Sequence, residues 1–202
     1  LLPQYLQIVH GSSPTVAGLQ MTPLVVGIMA GGIISGTTIS RTGRYKTFPL
    51  VGVALMVVAL VSLSLVVKAD TSVWQMVPFM LMLGLGLGFT FVPLSNLALI
   101  GAGPRDAGAA SAMLNATQQV GASIGTAVLA SLSVAAISSY TADALASDPR
   151  DPAIGLEAQV EGYTTAFTWA SGLLVIGALV SAFLVKATKE DLPAEDAVVH
   201  AA

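Results

Sequence analysis

The sequence contains few charged residues and no cysteine. Only 9% of its 202 residues are Asp, Glu, Lys or Arg, whereas a soluble domain carries about 25%. So few charges cannot keep the surface of a chain of this length in water, so the bilayer must act as the solvent for most of it. Without cysteine, a disulfide framework and a thiolate metal site are both excluded.

Groups suited to catalysis, metals or nucleic acid are also scarce. His10 and His200 lie near opposite ends of the chain, so they form no local metal-binding motif. A net charge of -3 without a basic cluster argues against nucleic acid as a partner. No Asp pair, His cluster or Ser–Lys pair occurs in the apolar segments, so we predict no enzyme, no metal site and no cofactor.

Apolar residues, by contrast, are abundant and form long runs. They make up 54% of the chain, and a helix that crosses the bilayer needs about 20 in succession. We therefore predict an all-α, polytopic membrane helical bundle over residues 1–187 and a cytoplasmic tail over 188–202. The start lacks both a methionine and the basic region of a signal peptide, so we expect a fragment of a larger protein that begins at the end of one helix. The five full helices are expected at about 19–40, 47–67, 74–100, 107–138 and 164–187, with a polar loop over 139–162.

The basic residues predict the orientation of these helices. If all five span, one side carries Arg41, Arg44, Lys46, Arg105, Lys186 and Lys189. The other side carries only Lys68 and Arg150, among acidic residues that include Asp143, Asp148, Asp151, Glu157 and Glu161. Because Lys and Arg accumulate on the cytoplasmic side, we expect a multi-pass protein of the inner (plasma) membrane with its C-terminus in the cytoplasm.

Small residues recur at intervals of four in three of the runs. In lipid, such spacing lets helix backbones approach closely, although generic tight packing explains any single pair equally well. Pro93 removes a backbone donor and predicts a kink in the third run. A phosphate loop is not indicated by the alternating glycines there, since no strand precedes them. The residues assigned to packing and the kink are Gly84, Gly88, Pro93, Gly121 and Gly125.

Two faces are candidates for a substrate cavity. Asn115, Gln118 and Gln119 lie on one polar stripe of the fourth run, within about 100° on a helical wheel. Amides in hydrocarbon need partners or water, so this stripe faces either other helices, as hydrogen-bonding glue, or a wet cavity. Phe89 and Asn96 share a face of the third run with Pro93, which suits an amphipathic ligand or ordinary core packing.

The loop after the first run carries a more specific pattern. Gly36, Arg41, Gly43, Arg44 and Lys46 match the spacing of the signature loop that the major facilitator superfamily repeats in each six-helix half. Physical reasoning alone also accommodates a basic cytoplasmic anchor. The sequence departs from the signature at Ser40, where the family has an acid, which is common in the second-half copy. The resemblance therefore implies the C-terminal half of a major facilitator fold.

Two further segments resemble the fourteen-helix drug:proton antiporter branch of that superfamily. Residues 107–128 are similar to its penultimate helix, and residues 5–14 with 17–19 are similar to one of its outer loops. The resemblance implies multidrug efflux by alternating access, with the bilayer, the missing N-terminal half, protons and lipophilic or cationic small molecules as partners. A carrier of another small solute and a non-transport membrane scaffold remain alternatives.

Overall fold

The computed structural model describes residues 1–42, 47–100, 106–149 and 151–184. Across these ranges the chain is helical and contains no strand. Its helices are α1 (Leu2–Ile8), α2 (Pro14–Gln20), α3 (Thr22–Thr42), α4 (Thr47–Val66), α5 (Val73–Ile100), α6 (Ala107–Ser147) and α7 (Ile154–Leu184).

Five helical segments are long and apolar enough to cross a membrane. They are Pro14–Thr42, Thr47–Val66, Val73–Asn96, Ala107–Ser147 and Ile154–Val180. The prediction of an all-α membrane bundle is confirmed.

The first span begins earlier than the sequence suggested. Its predicted start was residue 19, but α2 already begins at Pro14, and Met21 separates it from α3. The Ser13 hydroxyl accepts a hydrogen bond from the Val16 amide at 3.4 Å, and proline fits the first turn of a helix because its missing N–H would be unpaired there anyway. Polar capping residues thus extend the helix beyond its apolar run.

The largest difference from the predicted elements lies between α6 and α7. The polar loop expected over residues 139–162 is mostly helical, because α6 continues to Ser147 and α7 begins at Ile154. The Tyr140 hydroxyl donates to Glu157 Oε2 at 2.6 Å and links the two extensions. Residues 139–147 include several Ala, which favours helix whether or not the surroundings are apolar. The 41 residues of α6 reach about 60 Å, roughly twice the thickness of the hydrocarbon core.

The core lies around α5, which packs against α3 on one side and α4 on the other. The short helix α1 is anchored to this core through Tyr5, which is fully buried. The Tyr5 hydroxyl donates to the Lys68 carbonyl oxygen at 2.9 Å, and its ring meets that of Tyr163 edge-on. Helix α6 contacts mainly α7, and Ser133 is its one buried residue. The bundle is therefore compact around α5 and open along α6.

Candidate functional site

Helices α3 and α5 meet backbone to backbone along a seam of glycines. A methyl group on Gly88 would lie 2.5 Å from the Ile28 carbonyl oxygen and 2.6 Å from the Gly32 amide nitrogen. One on Gly84 would collide with the Leu24 carbonyl oxygen. The Ser35 hydroxyl lies within hydrogen-bonding distance of two carbonyl oxygens, that of Gly32 in its own helix at 3.2 Å and that of Gly88 across the seam at 3.4 Å, so its one proton is shared between them. The spacing of four residues therefore serves close helix approach on this face.

A second close approach, which the spacing of four residues did not predict, joins α5 to α4. A methyl group on Gly86 would lie 2.6 Å from both the Gly52 carbonyl oxygen and Met56 Cγ. At about 100° per residue, Gly86 points roughly opposite to Gly84 and Gly88. The alternating glycines thus admit one neighbour on each side of α5. The signal was present in the sequence as the third glycine between the pair assigned to packing.

The two predicted cavity residues of α5, Phe89 and Asn96, and the predicted kink residue Pro93 have different surroundings in the structure. Pro93 is fully buried, and the half-buried Phe89 meets Phe48 edge-on, with ring centroids 5.5 Å apart. Asn96 is exposed. Phe89 and Pro93 therefore contribute to packing, and Asn96 alone of the three presents a polar group at the surface.

The polar stripe of α6 lies on an open face. Asn115 and Gln119 are exposed and Gln118 is half-buried. In the described part of the chain, no hydrogen bond engages the side chains of these three residues. A methyl group on Gly121 or Gly125 would meet no atom within 4 Å. The described residues therefore leave Asn115, Gln119 and the small face next to them uncovered, and they cover Gln118 only in part.

Hydroxyl groups on the same helix behave differently from the amides. The Thr117 hydroxyl donates to the Met113 carbonyl oxygen at 2.9 Å, and the Ser123 hydroxyl donates to the Gln119 carbonyl oxygen at 2.8 Å. Such bonds satisfy a hydroxyl within its own helix, even in lipid. Asn and Gln side chains in this helix have no such internal partner, so their hydrogen-bonding groups are left for water or another helix.

Part of the basic signature loop falls at the end of α3. Gly36 is half-buried, and a methyl group there would touch Val92 Cγ1 at 3.9 Å. Arg41 is exposed in the last turn of α3, where a cation interacts favourably with the helix dipole. Gly43, Arg44 and Lys46 lie outside the described residues.

The opposite end of the bundle has two shallow depressions, and none of the predicted cavity residues lines them. The first, of about 600 Å³, lies at the α4–α5 turn and includes Lys68 and Asp70. The Thr71 hydroxyl stabilises this turn by donating to the Val66 carbonyl oxygen at 2.7 Å and accepting from the Lys68 amide at 2.8 Å. Burial, and then the charge of Asp70, raise the pKa of the nearby Tyr5 to about 12. The second depression, of about 280 Å³, lies between α4 and α7.

The sequence of the chain is similar to a protein family and to several known proteins. The model of the Major Facilitator Superfamily matches residues 1–126. The chain is 33% identical over 94% of its length to puromycin resistance protein pur8 of Streptomyces alboniger, of which it covers 37%. It is 35% identical over 76% of its length to a tetracycline resistance determinant of Streptomyces rimosus, of which it covers 45%. A probable actinorhodin transporter of Streptomyces coelicolor is 37% identical over 65% of the chain, which covers 23% of that protein.

The chain thus spans less than half the length of each of these relatives. Membership in a family of transporters agrees with the prediction that the chain is not an enzyme. The family match, the apolar spans and the basic loop beginning at Arg41 all lead to the same conclusion: the chain belongs to the Major Facilitator Superfamily.

Proposed function

We propose that this chain forms the C-terminal half of a proton-coupled exporter of lipophilic or cationic small molecules. The observation that carries the proposal is the amide stripe of α6, formed by the exposed Asn115 and Gln119 and the half-buried Gln118, none of which has a side-chain hydrogen bond in the described residues. The relatives named for puromycin and tetracycline resistance and for actinorhodin transport support efflux as the direction of transport.

The stripe needs a polar environment for energetic reasons. An amide transferred from water to an apolar medium without a hydrogen-bond partner costs at least about 1–3 kcal/mol. Three such groups on one helix would disfavour a lipid-facing position by several times that amount. The stripe therefore lines a wet cavity between this bundle and a second one supplied by the longer protein. Rocking of the two bundles about that cavity gives alternating access.

Proton coupling requires a titratable group at membrane depth. The acidic residues of α6 and α7 (Asp143, Glu157 and Glu161) lie near the hairpin that joins these helices, far from the stripe. The coupling carboxylate therefore belongs to the other half of the transporter. With the basic end of the bundle in the cytoplasm, the protein sits in the plasma membrane with its C-terminus inside.

Transport by the complete gene product tests the proposal directly. Inverted membrane vesicles that contain the full protein should accumulate a cationic dye when a pH gradient is imposed. Gln118→Leu should lower this accumulation, because it removes a cavity amide. Thr117→Val is the matched control, since the Thr117 hydroxyl is satisfied within α6. Dye accumulation that ignores the pH gradient would reject the drug:proton assignment.

Chemical accessibility separates a transporter from a membrane scaffold. Because this chain contains no cysteine, a single cysteine at Asn115 or Gln118 is easily introduced into a full protein made free of other cysteines. If the protein is a transporter, a membrane-impermeant thiol reagent should label this cysteine from at least one side of the membrane, and substrate should slow the labelling. If the cysteine is labelled from neither side, even without substrate, a scaffold is favoured, in which the amides bond to neighbouring helices.

A further inference from the structure

The groove between α4 and α7 lies at the end of the bundle opposite to Arg41, away from the α6 stripe. It has a volume of about 280 Å³, and its lining includes Ser64, Glu161, Thr164, Thr168 and Trp169. Glu161 and Trp169 are eight residues apart on α7, so they mark about 12 Å along the groove.

Three of the four hydroxyl groups that line the groove, those of Ser64, Thr164 and Thr168, offer acceptors and not donors, and only Thr165 keeps a proton without a partner in the described residues. The Ser64 hydroxyl donates to the Val61 carbonyl oxygen at 2.8 Å. The Thr164 hydroxyl donates to the Glu161 carbonyl oxygen at 3.0 Å, and the Thr168 hydroxyl donates to the Thr164 carbonyl oxygen at 2.9 Å. Each of these three protons is therefore engaged by the helix itself, while the oxygen lone pairs remain available to a ligand.

The remaining polar groups of the groove also attract cations. Glu161 is exposed, and no basic residue pairs with it in the part of the chain that the structure describes. Trp169 is 53% exposed, and an indole face binds ammonium groups. Lys68 lines the neighbouring depression but not this groove. Glu157, one turn before Glu161, is instead engaged by Tyr140.

Exposed aliphatic side chains continue from the groove along both helices. On α4, Leu65 is 73% exposed, and Val58 is 54% exposed. On α7, Ile176 is 59% exposed. Such a surface is stable against hydrocarbon, and the indole of Trp169 is typical of the level at which the hydrocarbon meets the headgroups.

We propose that this groove binds the ammonium group of an amphiphile, whose hydrocarbon tail lies along the exposed faces of α4 and α7. Glu161 supplies the countercharge. The hydroxyl oxygens accept hydrogen bonds from the N–H groups of the ammonium, or contact its methyl groups where it is quaternary, and Trp169 covers one side of it. The ammonium group belongs either to a lipid headgroup or to a free cationic amphiphile. The groove shares no lining residue with the α6 stripe, so this site goes beyond the proposed transport cavity.

Photolabelling of the full-length protein tests this site. The probe is a dodecylammonium ion with a diazirine in its tail, applied to the protein in nanodiscs of phosphatidylglycerol. Labelled peptides should come from the outer halves of α4 and α7, and dodecyltrimethylammonium should compete where dodecyl sulfate does not. Glu161→Gln should weaken labelling about fivefold. Glu157→Gln is the matched control and should leave labelling unchanged.

A second variant guards against a folding defect. Trp169→Leu should weaken labelling while Trp74→Leu, which alters an exposed indole outside the groove, should not. Nanodiscs that also contain phosphatidylethanolamine distinguish the two sources. Loss of labelling there assigns the site to the lipid headgroup, and unchanged labelling assigns it to free amphiphiles. If Glu161→Gln and Trp169→Leu are both labelled as strongly as the unaltered protein, the proposal is overturned.

Discussion

Replacing Gly88 by alanine should destabilise the seam between α3 and α5. The added methyl group would lie 2.5 Å from the Ile28 carbonyl oxygen, 2.6 Å from the Gly32 amide nitrogen and 2.8 Å from the Gly31 carbonyl carbon. All three atoms belong to the α3 backbone, so no side chain can rotate away. Relief to ordinary contact, which begins at 3.4 Å, requires the helices to separate by about 0.9 Å locally.

Opposing effects determine the size of the change. Overpacking costs about 1–3 kcal/mol in a well-packed core, and a gap of 0.5–1 Å forfeits a quarter to a half of each neighbouring dispersion contact. The Ser35 hydrogen bond across the seam is worth about 0.6 kcal/mol in lipid. Alanine in turn favours helix over glycine by about 1 kcal/mol. The net loss in the free energy of unfolding should be about 1–3 kcal/mol.

The measurement is reversible unfolding of the full-length protein in mixed micelles of increasing sodium dodecyl sulfate content. Gly172→Ala is the control, because Gly172 lies inside α7 and a methyl group there meets nothing within 4 Å. It should leave the protein equally or more stable, since only the helix preference acts. If Gly88→Ala proves as stable as Gly172→Ala, backbone contact does not hold the seam together and the reasoning is refuted.

Three smaller changes test other contacts. Tyr5→Phe removes the donor to the Lys68 carbonyl oxygen and should lower the free energy of unfolding by about 1 kcal/mol; an unchanged value would mean that α1 is held by its ring contacts alone. Tyr140→Phe breaks the hydrogen bond to Glu157 and should speed amide hydrogen exchange in residues 139–147 without changing global stability. Exchange in residues 139–147 that is as slow as in the unaltered protein would contradict a local role. Ser35→Ala deletes the hydroxyl that crosses the α3–α5 seam and should cost about 0.6 kcal/mol in the same unfolding titration, whereas a loss above about 2 kcal/mol would point to a wider network.

The ends of the helices show where sequence reasoning stopped short. A search for apolar runs finds the segment of each helix that lies in hydrocarbon, so it ended the fourth helix at 138, nine residues before Ser147. The continuation is held by helix propensity and by the bond between Tyr140 and Glu157, neither of which is an apolar signal. In the same way, Ser13 starts α2 five residues before the predicted first span.

Composition and periodicity by themselves determined that this chain is a helical membrane bundle, because its few charges and long apolar runs leave no other solvent for its surface. They also placed the amides of α6 on one face, since angular position follows directly from residue spacing. Only the tertiary structure decided which faces are covered. It distributes Gly84 and Gly88 to α3 and Gly86 to α4, and it leaves the α6 stripe open. Spacing sets where a residue points on its own helix, but the neighbour it meets depends on how distant helices are arranged.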